Sequence, residues 1–156
     1  MSSSRLVRLM LADEAMLFLG YPSLHYKGPL YGQDVAGFDC SGYLKFLLKR
    51  LSFPDVGDTR HANEFFDRFG VLIHAEAVSR GDLIFFSRNG IVPTHIGIML
   101  SEKEYIHAPG INDSCICTCT VCEESIANSR VDKIYHRNPI GYKRLAIRNG
   151  RYSRVL

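Results

Sequence analysis

Apolar positions change their period about halfway along the chain. Between residues 5 and 19, Leu6, Leu9, Met10 and Leu19 are among the apolar positions of an amphipathic helix, and Gly20 and Pro22 stop it. Residues 21–37 then read as a loop, broken by Gly28-Pro29, Gly32 and Gly37, with Tyr21, Tyr26 and Tyr31 interleaved. The clearest helix follows. Leu44, Leu47, Leu48 and Leu51 fall at i, i+3, i+4 and i+7, Asp39 or Ser41 can cap the start, and Pro54 lies past the end. Counting back four from Leu44 puts Cys40 on the same stripe, at the helix entrance. A shorter helix is predicted over 62–69.

Beyond residue 80 the apolar runs become short and are separated by turn residues. Segments 82–86, 95–100 and 105–108 read as strands, with further strands at 116–121 and 142–146. Helices first and strands later predict an α+β fold, N-terminal helices packed on a central antiparallel sheet. No linker divides the chain, so residues 1–156 are expected to form one domain, with an opening helix within 1–20 and a basic segment over 140–156.

Composition narrows the classes further. With 46% apolar and 22% charged residues, disordered, collagen-like and coiled-coil readings are excluded. No run approaches the roughly 18 apolar residues of a membrane span. A net charge of +3 is too small to imply nucleic acid, and Lys143, Arg144, Arg148, Arg151 and Arg154 read as a solvated end. Asp13 and Glu14 interrupt the N-terminal apolar run, which argues against a cleavable signal and for a chain that is cytoplasmic as synthesised.

Five cysteines cannot all pair within one chain. Four crowd into Cys115, Cys117, Cys119 and Cys122. On a strand the first three share one face at intervals of about 6.6 Å, whereas two thiolates on one zinc need sulfurs ~3.8 Å apart. Only Cys119-x-x-Cys122 has chelate spacing, and no second such pair exists, so the run reads as a thiol-rich strand without metal.

Cys40 carries the candidate chemistry. A helix N-terminus favours the thiolate, and the backbone N–H groups converging there can hold an oxyanion. His95 opens the strand 94–100. Alternation sets His95, Gly97 and Met99 on one face and Ile96, Ile98 and Leu100 on the other, and the glycine leaves room for a cysteine sulfur. His107 lies on the next strand. A three-residue loop pairs Leu100 with Glu104 and Gly97 with His107, bringing the two histidines diagonally together at about 7–8 Å between Cα atoms. A two-residue loop would put them on opposite faces. Cys40 then attacks a carbonyl, His95 takes and returns the proton, and His107 fixes the tautomer of His95. His25, His61, His74 and His136 have no paired spacing and read as surface or core residues.

These residues resemble the NlpC/P60 family of papain-like cysteine peptidases. Gly37-Phe38-Asp39-Cys40-Ser41-Gly42 is similar to its nucleophile signature, and Arg80-Gly81-Asp82-Leu83-Ile84-Phe85-Phe86 to its central strand. Thr94-His95-Ile96-Gly97-Ile98 and Ile106-His107-Ala108 resemble the strands of its base and third polar residue. The four segments stand in the family's order over roughly residues 6–110, with 55 residues from Cys40 to His95 and 12 more to His107.

The resemblance implies a papain-like fold and hydrolysis of peptidoglycan stem peptides between D-γ-glutamate and a diamino acid. A thioester would form on Cys40, and neither metal nor organic cofactor is required. It also implies that Asp39, Ser41 and an upstream tyrosine line the cleft. Gly28-Pro29-Leu30-Tyr31-Gly32 is compressed and lacks the family's Trp, so Tyr31 is the first choice and Tyr26 the alternative. Arg60 stands where relatives often carry an arginine that holds the cleft wall, and Arg80 replaces the usual proline. The expected partner is a stem peptide or muropeptide, which the chain would reach by a route that needs no cleavable signal. Two other readings stay open. The same triad could serve an acyltransferase or an amidase/deamidase, or the Cys115–Cys122 run could make a non-enzymatic metal- or partner-binding module.

Overall fold

Helix α1 (Ser3–Leu17) begins where the Ser2 hydroxyl accepts the Arg5 N–H at 3.3 Å, in a computed structural model that describes residues 2–121, 139–148 and 151–152. Its packed face differs from the one marked by the large side chains. Leu11, Ala12 and Ala15 are buried while Leu6, Met10 and Leu19 are exposed. The small residues win because they let α1 lie close to α2 (Cys40–Arg50), where the Tyr43 hydroxyl donates to the Ala15 carbonyl at 2.5 Å. Helix α2 keeps its predicted stripe, burying Leu44, Leu47 and Leu48. Helix α3 (Ala62–Arg68) follows.

The loop over 21–37 contains three two-residue strands, β1 (Pro22–Ser23), β2 (Gln33–Asp34) and β3 (Gly37–Phe38). Elements this short leave no period to read. After α3 come β4 (Val71–Ile73), β5 (Leu83–Phe86), β6 (His95–Met99), β7 (Glu104–His107), β8 (Ser114–Cys115), β9 (Cys117–Thr120) and β10 (Gly141–Arg144). A last pair, β11 (Ile147–Arg148) and β12 (Arg151–Tyr152), closes the described chain.

The central sheet has the order β4-β10-β5-β6-β7-β9, and every pairing in it is antiparallel. The helices cover one face, where Leu83, Phe85, Ile96, Ile98 and Ile106 join the core of α1 and α2. Ile84, Phe86, Met99 and Tyr105 build a smaller core on the other face. All four residues of β5 are therefore buried, which explains a continuous rather than alternating apolar run. In the β6–β7 hairpin Met99 pairs with Tyr105, and the Leu100 N–H meets the Glu104 carbonyl at 2.7 Å. This is the register the three-residue loop predicts.

Two sequence expectations change here. Cys115 belongs to β8 and pairs with β1 in a separate sheet, with buried Ile116 at the crossing, so it does not share a strand face with Cys117 and Cys119. Nor is the whole basic end solvated. Lys143 is 2% exposed and donates to the Phe66 carbonyl, while Arg144 ion-pairs with buried Asp82 at 2.7 Å. Asp82 also takes Arg8 at 3.2 Å, which ties the first helix to the last long strand. Arg80, in place of proline, reaches Asp13 at 2.9 Å and the Leu100 carbonyl. Cys122, His136 and Arg154 lie outside the described residues.

Candidate active site

The site is built outward from the first turn of α2. Asp39 is its N-cap, with extended backbone, and its carboxylate accepts the Gly42 N–H at 2.8 Å. Position 42 must be glycine: a Cβ there would stand 2.1 Å from the Gly32 carbonyl oxygen. The loop over 28–33 thus lies directly on the helix entrance, with the Asp39 N–H donating to that same carbonyl at 2.6 Å.

Arg60 locks this contact. It is 3% exposed and its five N–H donors are all engaged. Nε donates to the Pro29 carbonyl at 3.1 Å, Nη1 to Asp39 and to the Ser41 hydroxyl at 2.9 Å each, and Nη2 to the Tyr31 carbonyl and to the second Asp39 oxygen. The expectation that Arg60 holds the cleft wall matches this geometry. The cost of burying two charges is offset by complete hydrogen bonding.

Cys40 is half-buried and accepts backbone N–H bonds from Ser41 and, across the cleft, from Ile96. Burial pushes its thiol up to about 11, and the nearby Asp39 charge adds to the rise. The two N–H groups and Arg60 pull the other way without reversing it. The helix N-terminus alone therefore does not make a thiolate, and the sulfur needs a base to take its proton.

Two imidazoles stand together on the sheet. His95 and His107 are both buried, with His95 Nε2 2.6 Å from His107 Nδ1 and the rings edge-on at 85°. The phenyl ring of Phe86 and the Tyr105 ring flank them at 6.0 and 5.1 Å. Gly97 plays a different part from the one expected. A Cβ there would lie 2.8 Å from the Tyr105 ring and 3.1 Å from Ile84, so its missing side chain makes room for Tyr105, not for the cysteine sulfur. Cys40 packs on the helix side, against the larger core.

Cys40 and His95 open onto one cavity of about 420 Å³, within the range of small-ligand sites. Asp39, Ser41, Tyr26 and His61 also line it. Of the two candidate tyrosines, Tyr26 reaches the cavity, whereas Tyr31 faces Lys27 and gives its carbonyl to Arg60. The compressed loop explains the swap, because Tyr31 sits in the turn that Arg60 clamps. Tyr26 lies under the Arg60 guanidinium at 5.3 Å and meets the His61 ring edge-on at 5.2 Å. His25, His61 and Arg88 reach the cavity wall without any signal in their spacing. Only the fold brings them there.

Comparison with known proteins bears on the fold and the family. The family model described as NlpC/P60 family matches residues 28–135. Among curated proteins, the chain is 31% identical over 98 residues to a probable peptidoglycan endopeptidase, LytE, of Bacillus subtilis, covering 63% of this chain and 26% of the relative. It is 29% identical over 102 residues to a gamma-D-glutamyl-L-lysine dipeptidyl-peptidase of Bacillus cereus, covering 64% and 28%. The chain spans about a quarter of the length of these relatives. Among solved structures, the NlpC/p60 domain of the peptidoglycan hydrolase SagA superposes with a TM-score of 0.63 at 23% identity, over 87% of this chain and 97% of that one. An NlpC/P60-family protein from Bacillus cereus gives 0.63 at 21% identity, over 88% and 39%. With the family model covering most of the chain and the fold shared, the chain belongs to the NlpC/P60 family.

Proposed function

We propose that this chain is a cysteine endopeptidase of peptidoglycan stem peptides, cutting between D-γ-glutamate and the diamino acid. One observation carries the reading: the 2.6 Å contact between His95 Nε2 and His107 Nδ1, beside a cavity that also holds Cys40. With Nε2 turned to His107, Nδ1 of His95 is the nitrogen that accepts the Cys40 proton. The sulfur attacks the scissile carbonyl, and N–H groups of the α2 entrance stabilise the oxyanion. Protonated His95 passes the proton to the leaving amine, a thioester remains on Cys40, and water hydrolyses it with His95 again as base. His107 accepts the Nε2–H and holds the productive tautomer. The names of the LytE-type and gamma-D-glutamyl-L-lysine relatives support the wall substrate and the bond.

The test is incubation of wild type and a Cys40→Ala variant with muropeptides bearing the L-Ala-γ-D-Glu-diamino-acid stem, with products identified by mass spectrometry. Cleavage after D-Glu by wild type alone is expected. An uncut stem beside a readily alkylated Cys40 would reject the hydrolytic reading in favour of acyl transfer or deamidation. An inert Cys40 would reject the triad.

A further inference from the structure

His107 has two sides, and the mechanism above uses one. Its Nε2 lies 3.4 Å from Cys119 Sγ and 3.7 Å from Cys117 Sγ. The β7–β9 register produces this, pairing His107 with Cys117 and Tyr105 with Cys119, so the three residues share a sheet face. The Cα spacing along the strand argued against shared coordination, yet the side chains converge: the three ligand atoms lie within 4.8 Å of one another. A tetrahedral zinc, with Zn–N of about 2.0–2.1 Å and Zn–S of about 2.3 Å, sets nitrogen and sulfur roughly 3.6 Å apart and the two sulfurs roughly 3.8 Å apart. The two observed nitrogen–sulfur distances bracket that value. Those two separations need little change to admit the ion.

We infer that His107, Cys117 and Cys119 form a Zn²⁺ site whose occupation switches the catalytic histidine off. Three protein ligands of type Cys₂His leave a fourth position for water. On binding, each thiol loses a proton to solvent, and the ion takes two sulfur lone pairs and the Nε2 lone pair of His107. The His107 proton then resides on Nδ1, from where it donates to His95 Nε2. His95 must in turn carry its own proton on Nδ1, the nitrogen that has to accept from Cys40. Without metal the chain runs the other way: His95 donates to His107, and His107 donates toward sulfur. Zinc and general-base catalysis thus require opposite tautomers of the same two rings. The metal site stands on geometry alone, while the switch rests on the proposed triad.

The experiment uses the full chain, reduced and stripped with chelator, titrated first with Co²⁺ and then with Zn²⁺. One Co²⁺ per chain is expected, with thiolate-to-cobalt charge-transfer and tetrahedral d–d bands that Zn²⁺ displaces. The bands persist in Cys40→Ala and in Cys115→Ser, whose residue lies in the other sheet, and disappear in Cys117→Ser and in Cys119→Ser. Zn²⁺ should slow wild-type muropeptide turnover by roughly 10²–10⁴-fold in kcat, the scale of a wrong histidine tautomer. It should also slow alkylation of Cys40, read by peptide mass spectrometry. Each serine variant, compared with its own metal-free rate, should lose that sensitivity.

Absent bands, bands that survive both serine substitutions, or bands lost in Cys40→Ala would overturn the site. Intact bands with unchanged Cys40 alkylation would overturn the switch. If the bands and the alkylation effect appear while no muropeptide is cut in either state, the zinc site holds and the peptidase reading is the one that fails.

Discussion

The two flanks of the cavity are held by opposite kinds of chemistry. On the helix side, Arg60 and Asp39 form a buried ion pair in which every guanidinium donor has an acceptor. On the sheet side, His95, His107, Cys117 and Cys119 form a chain of imidazoles and thiols. The first flank has one hydrogen-bond pattern and serves as scaffold. The second has several patterns of similar geometry, because each imidazole can carry its proton on either nitrogen. Rigidity in this site is ionic, and adjustability is tautomeric.

The largest effect should come from breaking the adjustable flank at its centre. His95→Ala is expected to lower muropeptide hydrolysis by roughly 10⁴–10⁶-fold, as loss of a base that acts as a unit with its nucleophile does. The same variant should show the elevated Cys40 pKa directly. A thiol raised to about 11 stays protonated below that pH, so alkylation should climb about tenfold per pH unit until it levels off near 11. Wild type should alkylate at neutral pH. A neutral-pH rate in His95→Ala equal to wild type would show that the helix entrance activates the sulfur unaided.

Next in size is the rigid flank. Arg60→Ala leaves the Asp39 carboxylate buried without its counter-charge and should cost about 3–5 kcal/mol in urea-induced unfolding. Arg60→Lys should recover little, since an ammonium cannot serve Asp39, Ser41, Pro29 and Tyr31 at once. Full stability in either variant would contradict the scaffold role.

His107→Asn should reduce kcat by about 10–100-fold with the fold intact, the usual cost of losing an orienting partner. It should also remove any response to Zn²⁺. Smallest is the cavity wall. Tyr26→Ala should raise KM about three- to tenfold, the scale of one aromatic contact, whereas Tyr31→Phe should leave KM unchanged. The reverse order would restore Tyr31 as the cleft tyrosine.

Much of this architecture was legible from residue order. The leucine stripe of α2 and the odd-numbered turn between Leu100 and Glu104 are local features, governed by periods of 3.6 and 2 within a few residues. Cys40 at the helix entrance and His95 diagonal to His107 follow from them. The packed face of α1 was not legible, because hydrophobicity ranks Leu6 and Met10 above Ala12 and Ala15 while close helix contact rewards small residues. Lys143 and Arg144 looked solvated because charge counting knows nothing of buried Asp82 or of the Phe66 carbonyl.

The sequence by itself therefore determined the α+β order, the main helix with Cys40 at its entrance, the hairpin register and the meeting of His95 with His107, all set by short-range period and turn length. The tertiary structure alone decided which tyrosine meets the cavity, what Gly97 makes room for, and that Cys117 and Cys119 turn their sulfurs onto His107 while Cys115 leaves for another sheet. Those outcomes depend on contacts between segments far apart in the chain and on side-chain directions, and strand spacing constrains Cα atoms far more tightly than it constrains a sulfur one bond beyond Cβ.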